Sequence, residues 1–62
     1  MPLVNIQLVE GRTIAQKEAA AKAITEAIVK NLGAPASAVQ VIFSDMKEGD
    51  FYEAGEMRKV KK

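Results

Sequence analysis

The chain has 62 residues, with no cysteine and no histidine, so disulfide bonds are impossible and a zinc cluster lacks its usual ligands. The net charge is only +1, and one tyrosine and two phenylalanines offer few stacking platforms, so a nucleic-acid-binding protein is disfavoured. No apolar run approaches the ~20 residues that span a bilayer, and polar residues interrupt the first segment where a signal peptide would be apolar. We therefore expect one small domain over residues 1–62, in the cytoplasm, with no membrane and no nucleic-acid partner.

The first predicted element is a β-strand at residues 3–9. Val4, Ile6 and Leu8 alternate there with polar residues. This period of two is typical of a strand with one face more buried than the other. Residues 10–12 break the alternation and are predicted to form a turn.

A helix is predicted from about residue 14 to residue 32. Thr13 and Gln16 have the spacing of a capping box, alanines favour the helical state, Gly33 is a C-cap and Pro35 prevents continuation. The apolar stripe at helical spacing comprises Ala20, Ala21, Ile24, Ala27, Ile28 and Leu32. The charged residues assigned to the outer side are Lys17, Glu18, Lys22, Glu26 and Lys30, with i,i+4 pairs predicted at Glu18–Lys22 and Glu26–Lys30.

A second alternating strand is predicted at residues 39–44, after a connector at 36–38 and before a loop at 45–50. Two strands joined by one long helix make a β-α-β unit, whose crossover implies parallel strands. Residues 51–55 are expected to form a small hairpin that completes the sheet of a neighbouring chain. The predicted class is α/β (α+β), a single β-α-β unit with a short C-terminal hairpin.

Such a unit is expected to be incomplete by itself. A two-stranded sheet with one helix cannot bury both of its faces. Hydrophobic residues make up 48% of the chain, which is high for its length. This apolar surface is predicted to continue into subunit interfaces, first as a dimer joined edge to edge and then as a larger homo-oligomer.

Pro2 is a candidate catalytic residue because it directly follows Met1. Removal of Met1 would leave Pro2 as a free secondary amine. An α-amino group ordinarily titrates near ~8, and burial or nearby cations lower that pKa into the range of a general base. Proline is also common at this position simply because it permits removal of Met1, so the motif is weak by itself.

The chain as a whole resembles the 4-oxalocrotonate tautomerase family of the tautomerase superfamily. The resemblance covers essentially its full length and rests on the following residues in their spacing: Pro2, Glu10, Gly11, Arg12, Gln16, Lys17, Glu18, Phe51, Gly55 and Glu56. It implies a β-α-β fold, dimers assembled into hexamers, and proton transfer without cofactor or metal. Family enzymes take a proton from an enol or dienol carboxylate such as 2-hydroxymuconate and return it at another carbon, which gives the conjugated ketone.

The resemblance also implies roles for four residues. Pro2 is the general acid/base, Arg12 holds a substrate carboxylate and stabilises dienolate charge, and Phe51 walls the site and keeps it dry. Gln40 stands where well-studied members carry a second arginine, so it can donate a hydrogen bond to substrate but supplies no charge. Gln40 is also the best support for the alternative function, a catalytically weak or inactive oligomeric homologue that acts as a binding or scaffold protein.

The residues alone leave several alternatives open. Arg12 is also compatible with a solvated turn, and Phe51 with a core or interface aromatic. Arg58 or Lys59 of a neighbouring chain is a second possible source of the missing positive charge. Asp45 is the alternative base if Pro2 does not act.

Overall fold

The computed structural model describes residues 2–59 and contains one β-α-β unit followed by a hairpin. Its elements are β1 (Leu3–Val9), α1 (Ile14–Leu32), a 3-10 turn (Ala36–Ala38), β2 (Gln40–Met46), β3 (Tyr52–Glu53) and β4 (Glu56–Met57). β1 and β2 are parallel, whereas β3 and β4 are antiparallel. The predicted α/β (α+β) class, with its β-α-β unit and C-terminal hairpin, is therefore confirmed.

The register of the parallel pair sets the length of β2. Leu3 lies opposite Gln40, and the ladder continues without interruption to Val9 opposite Met46. The prediction that β2 begins at residue 39 and ends at residue 44 was wrong at both ends. The Val39 amide donates to the Ala36 carbonyl in the 3-10 turn, so β2 begins one residue later. It ends two residues later because β1 still offers backbone groups to pair with. Asp45, assigned to a loop from the sequence, is a strand residue opposite Leu8.

The limits of α1 follow from its caps, as predicted. The Thr13 hydroxyl accepts a hydrogen bond from the Gln16 amide at 3.1 Å, and the Gln16 side chain accepts one from the Thr13 amide at 2.8 Å. Gly33 ends the helix with a φ of 73°, which a residue without Cβ adopts at little cost. Neither α1 nor any other helix within residues 2–59 has the length and apolar character needed to cross a membrane.

The two acid–base pairs predicted on the outer side of α1 do not form. The ion pairs found within residues 2–59 are Lys17–Asp45 and Arg58–Glu53. Exposed long side chains lose conformational entropy when they pair, and water screens what they gain. The prediction that Lys17 belongs to the outer side was also wrong, because this side chain is half-buried and contacts β2.

A single subunit encloses no finished core. No residue between positions 2 and 59 is fully buried, and the sheet face turned toward α1 is only half-buried. On the other face, Leu3 and Ile42 are 53% and 45% exposed. The radius of gyration is 14.3 Å, against about 10.6 Å for a compact domain of this length. These apolar surfaces are consistent with the expectation that further subunits cover them.

The hairpin extends beyond the β-α-β unit. Tyr52 lies opposite Met57, and the two strands are joined by Ala54 and Gly55, whose φ angles are 53° and 81°. In the part of the chain that the structure describes, β3 and β4 approach no helix or strand except each other. An isolated two-stranded hairpin is marginally stable in water, so support from another chain is expected here.

Candidate functional site

The parallel sheet separates the four predicted site residues into two groups. Pro2 and Gln40 lie at the edge where both strands begin, whereas Arg12 follows the end of β1 and Phe51 follows the turn after β2. At about 3.3 Å per residue, the seven-residue β1 places these two edges roughly 20 Å apart. The structure therefore does not bring Pro2 and Arg12 of one chain to the same small molecule.

The edge where the strands begin, here called the amino edge, is built around Pro2. Pro2 is half-buried, and its carbonyl accepts a hydrogen bond from the Gln40 amide at 3.0 Å. The exposed Gln40 is followed by the half-buried Val41, and this alternation places the Gln40 side chain on the sheet face away from α1. Met1 lies outside the described residues, so its removal and the free amine of Pro2 stay predictions.

The edge where the strands end, here called the carboxyl edge, contains a cavity of about 300 Å³ between α1 and the sheet. Its lining residues are Ile6, Leu8, Arg12, Gln16, Lys17, Ala20 and Phe43. Three of them are large and apolar, two are cationic and none is acidic. Such a wall is suited to an anion with an apolar body, because a guanidinium offers a planar pair of donors to a carboxylate.

Arg12 is the one predicted site residue that lines this cavity. Within residues 2–59 it forms no ion pair, so its guanidinium is available to a ligand. Among the same residues, no group of three acidic side chains is placed to hold a metal ion. The cavity therefore offers positive charge without a carboxylate that competes from its own wall.

Among residues 2–59, the charge of Lys17, unlike that of Arg12, is compensated by a carboxylate. Lys17 Nζ lies 2.9 Å from Asp45 Oδ2, and the two side chains are 25% and 36% exposed. This contact was not predicted from the sequence, because the charge pattern of α1 placed Lys17 with its solvated residues. Helical spacing gave a usable signal, since Lys17 precedes Ala21 by four residues and Ile24 by seven.

Phe51 lies at the base of the hairpin rather than in the cavity. It is half-buried, and its carbonyl accepts a hydrogen bond from the Arg58 amide at 2.8 Å. Arg58 Nε lies 2.8 Å from Glu53 Oε1, and both side chains are about half exposed. Arg58 is thus already paired within its own hairpin, which makes it a weaker candidate for the missing positive charge.

This geometry defines a class of protein, a small β-α-β subunit with exposed apolar faces and with its candidate site residues at two edges of one sheet. Residues 2–61 match the family model described as "Tautomerase enzyme". A probable tautomerase of Streptococcus pneumoniae serotype 4 is 60% identical over 58 residues, which cover 94% of this chain and 97% of the relative. A probable tautomerase of Lactococcus lactis is 56% identical over 61 residues, which cover 98% and 100%.

Solved structures agree with the sequence comparisons. A structure from the 4-oxalocrotonate tautomerase isozymes of Methylibium petroleiphilum superposes with a TM-score of 0.82 at 36% identity, covering 90% of this chain and 88% of that chain. The chain belongs to the tautomerase family, and its fold is that of the 4-oxalocrotonate tautomerase homologues. The resemblance inferred from the sequence is therefore confirmed.

Proposed function

We propose that this chain is a cofactor-independent tautomerase that interconverts the enol and keto forms of a small carboxylate, with Pro2 as general acid/base. The observation that carries the proposal is the match to tautomerases from residue 2 onward, with a half-buried Pro2 at the head of β1. The proposal requires that Met1 be removed, because within a chain the proline nitrogen is an amide and carries no basic lone pair.

The proposed reaction is an isomerisation, so it needs no oxidant, reductant or second substrate. The neutral amine of Pro2 takes the proton from the enol hydroxyl, and the electrons shift along the conjugated system. The resulting ammonium returns a proton to carbon, which gives the ketone and restores the base. Arg12 holds the carboxylate and stabilises the negative charge of the dienolate.

We propose that the base and the arginine at one site come from different subunits. Pro2 and Arg12 of one chain lie at opposite edges of its sheet. Within residues 2–59, β1 pairs with β2 alone, so its other edge is open. Antiparallel pairing of two β1 strands would place Pro2 of one subunit near Arg12 of the partner subunit.

Further assembly would cover the surfaces that such a dimer leaves exposed. We propose the homohexamer that the resemblance implies, built from three dimers. The apolar residues available for its contacts on the sheet face and the hairpin are Leu3, Ile42, Tyr52 and Met57. Phe51 is proposed to wall the site across one of these contacts. The cytoplasmic location stays a prediction.

The proposed substrate is a small enol or dienol carboxylate with one carboxylate bound by Arg12. Gln40 is proposed to bind a second polar group as a neutral donor. A charge-assisted hydrogen bond exceeds a neutral one by roughly 1 kcal/mol, so a monoacid enol is expected to suit this site better than a dicarboxylate.

The test is ketonisation of enols by protein whose mass shows that Met1 is absent. Absorbance follows the loss of 2-hydroxymuconate and of a monoacid enol, and light scattering follows the assembly. We expect turnover of at least one enol that disappears in matched protein retaining Met1. An intact assembly that lacks Met1 and turns over neither class would contradict the proposal and favour the alternative binding or scaffold protein.

A further inference from the structure

We propose that Lys17 and Asp45 form a positioning pair that keeps Arg12 free to bind a carboxylate. The inference rests on the role of Arg12 in the proposed function. It adds that Lys17 and Asp45 determine whether the guanidinium of Arg12 is available to a ligand. In this proposal, neither Lys17 nor Asp45 contacts the reacting atoms.

The pair adjoins the cavity that contains Arg12. Lys17 and Arg12 both line this cavity. Asp45 lies opposite Leu8 in the parallel ladder, and Leu8 is another lining residue. Lys17 Nζ contacts Asp45 Oδ2 at 2.9 Å. A carboxylate is therefore present at the border of the cavity, and Lys17 holds it.

The two ion pairs of the described chain differ in their shelter from solvent. The side chains of Lys17 and Asp45 are 25% and 36% exposed, against 47% and 59% for Arg58 and Glu53. Charges that are partly screened from water interact more strongly than exposed ones. Removing one partner of the Lys17–Asp45 pair is therefore expected to act on a neighbouring charge more strongly than removing one partner of the Arg58–Glu53 pair.

The consequence for Arg12 depends on which partner is removed. Without Lys17, the carboxylate of Asp45 would be uncompensated beside the cavity and would attract the guanidinium of Arg12, in competition with a ligand. Without Asp45, the ammonium of Lys17 would be released as a second cation at the cavity. The two removals are therefore expected to change anion binding in opposite directions.

A purely structural role for the pair makes a different prediction. The contact also ties the first turns of α1 to the end of β2. If this tie were its only function, removal of either partner would loosen the same wall. Anion binding would then weaken in both variants, together with thermal stability.

The experiment measures binding of sorbate, a planar conjugated monocarboxylate without an enol, to the assembled protein by calorimetry. We expect Lys17→Met to weaken binding about fivefold, which corresponds to roughly 1 kcal/mol. Asp45→Asn should leave binding unchanged or strengthen it, and the double variant should return close to wild type. Lys22→Met is the matched control, since it removes one positive charge from an exposed position of the same helix and should change nothing.

Kinetics on a monoacid enol provide the second measurement. The same variants should change KM in the order found for sorbate and leave kcat nearly constant. Equal weakening by Lys17→Met and Asp45→Asn, or no sorbate binding by the wild type, would overturn the positioning pair. Full activity of Pro2→Ala together with opposite effects at positions 17 and 45 would instead refute the proposed base and leave the pair standing.

Discussion

The two edges of the parallel sheet carry different parts of the proposed chemistry. The amino edge holds Pro2, fixed by a backbone hydrogen bond from Gln40. The carboxyl edge holds the cavity with Arg12 and the Lys17–Asp45 pair. Parallel strands begin at one edge and end at the other, so this topology separates residue 2 from residue 12 by the length of β1. If Pro2 and Arg12 act in one site as proposed, this separation means that they come from different copies of the chain.

The largest effect is expected from removing the base at the amino edge. Pro2→Ala leaves a primary amine whose position and basicity differ from those of proline. A positioned acid/base typically contributes 10²- to 10⁴-fold to the rate, so we expect kcat to fall by at least about 10²-fold. Steady-state ketonisation kinetics measure this, and light scattering should show an unchanged assembly. Full activity in Pro2→Ala would mean that another residue is the base, and Asp45→Asn would be tested next.

The next effect tests whether the two edges meet between subunits. Arg12→Ala should lower kcat/KM by roughly 10- to 100-fold, because charge-assisted hydrogen bonds to the carboxylate are lost. Pro2→Ala and Arg12→Ala chains, unfolded and refolded together, would form mixed dimers in which one site has both residues intact. With random pairing, activity should recover to about a quarter of the wild-type level.

The control for this experiment is each variant refolded alone, which should keep its own reduced activity. A mixture no more active than the average of the two variants would mean that base and arginine act within one chain. The separation of the two edges would then have to be closed by a rearrangement of the subunit itself.

A smaller effect is expected from restoring charge at the amino edge. Gln40→Arg should raise kcat/KM for dicarboxylate enols about fivefold more than for monoacid enols, since a charge-assisted hydrogen bond exceeds the neutral one that it replaces by roughly 1 kcal/mol. Gln40→Lys is the matched control, because lysine adds a positive charge without the planar pair of donors that a guanidinium offers. Equal gains for both substrate classes, in an assembly of normal size, would mean that Gln40 does not contact the second carboxylate.

The smallest effect concerns the hairpin beyond the carboxyl edge. Ala54 has a φ of 53°, a conformation that costs an L-residue with Cβ about 1–2 kcal/mol. Because Asn-Gly is the favoured pair for a turn with two positive φ angles, Ala54→Asn should raise the free energy of unfolding by up to about 1 kcal/mol. Chemical denaturation at fixed protein concentration measures this, with Gly55→Ala as a control expected to destabilise. A loss of stability in Ala54→Asn would show that another contact decides the choice of residue 54.

Local interactions allowed much of the fold to be predicted from the sequence. The limits of α1 follow from the Thr13–Gln16 capping box and the left-handed Gly33, both of which act within one turn of the helix. The alternation of Val4, Ile6 and Leu8 likewise predicts β1 and the face it turns toward the helix. These signals need no knowledge of distant residues, and the family resemblance then gave the candidate site residues.

Tertiary structure decided the features that depend on distant partners. The extension of β2 to Met46 is set by the length of β1, because a strand needs a neighbour to pair with. Lys17 pairs with Asp45, which is 28 positions away in the chain. The periodicity of α1 alone could not predict this partner. The parallel register also places Pro2 and Arg12 at opposite edges. Caps and alternation are local properties of the chain, whereas strand ends, charge pairing and the separation of the two edges depend on which residues meet after folding.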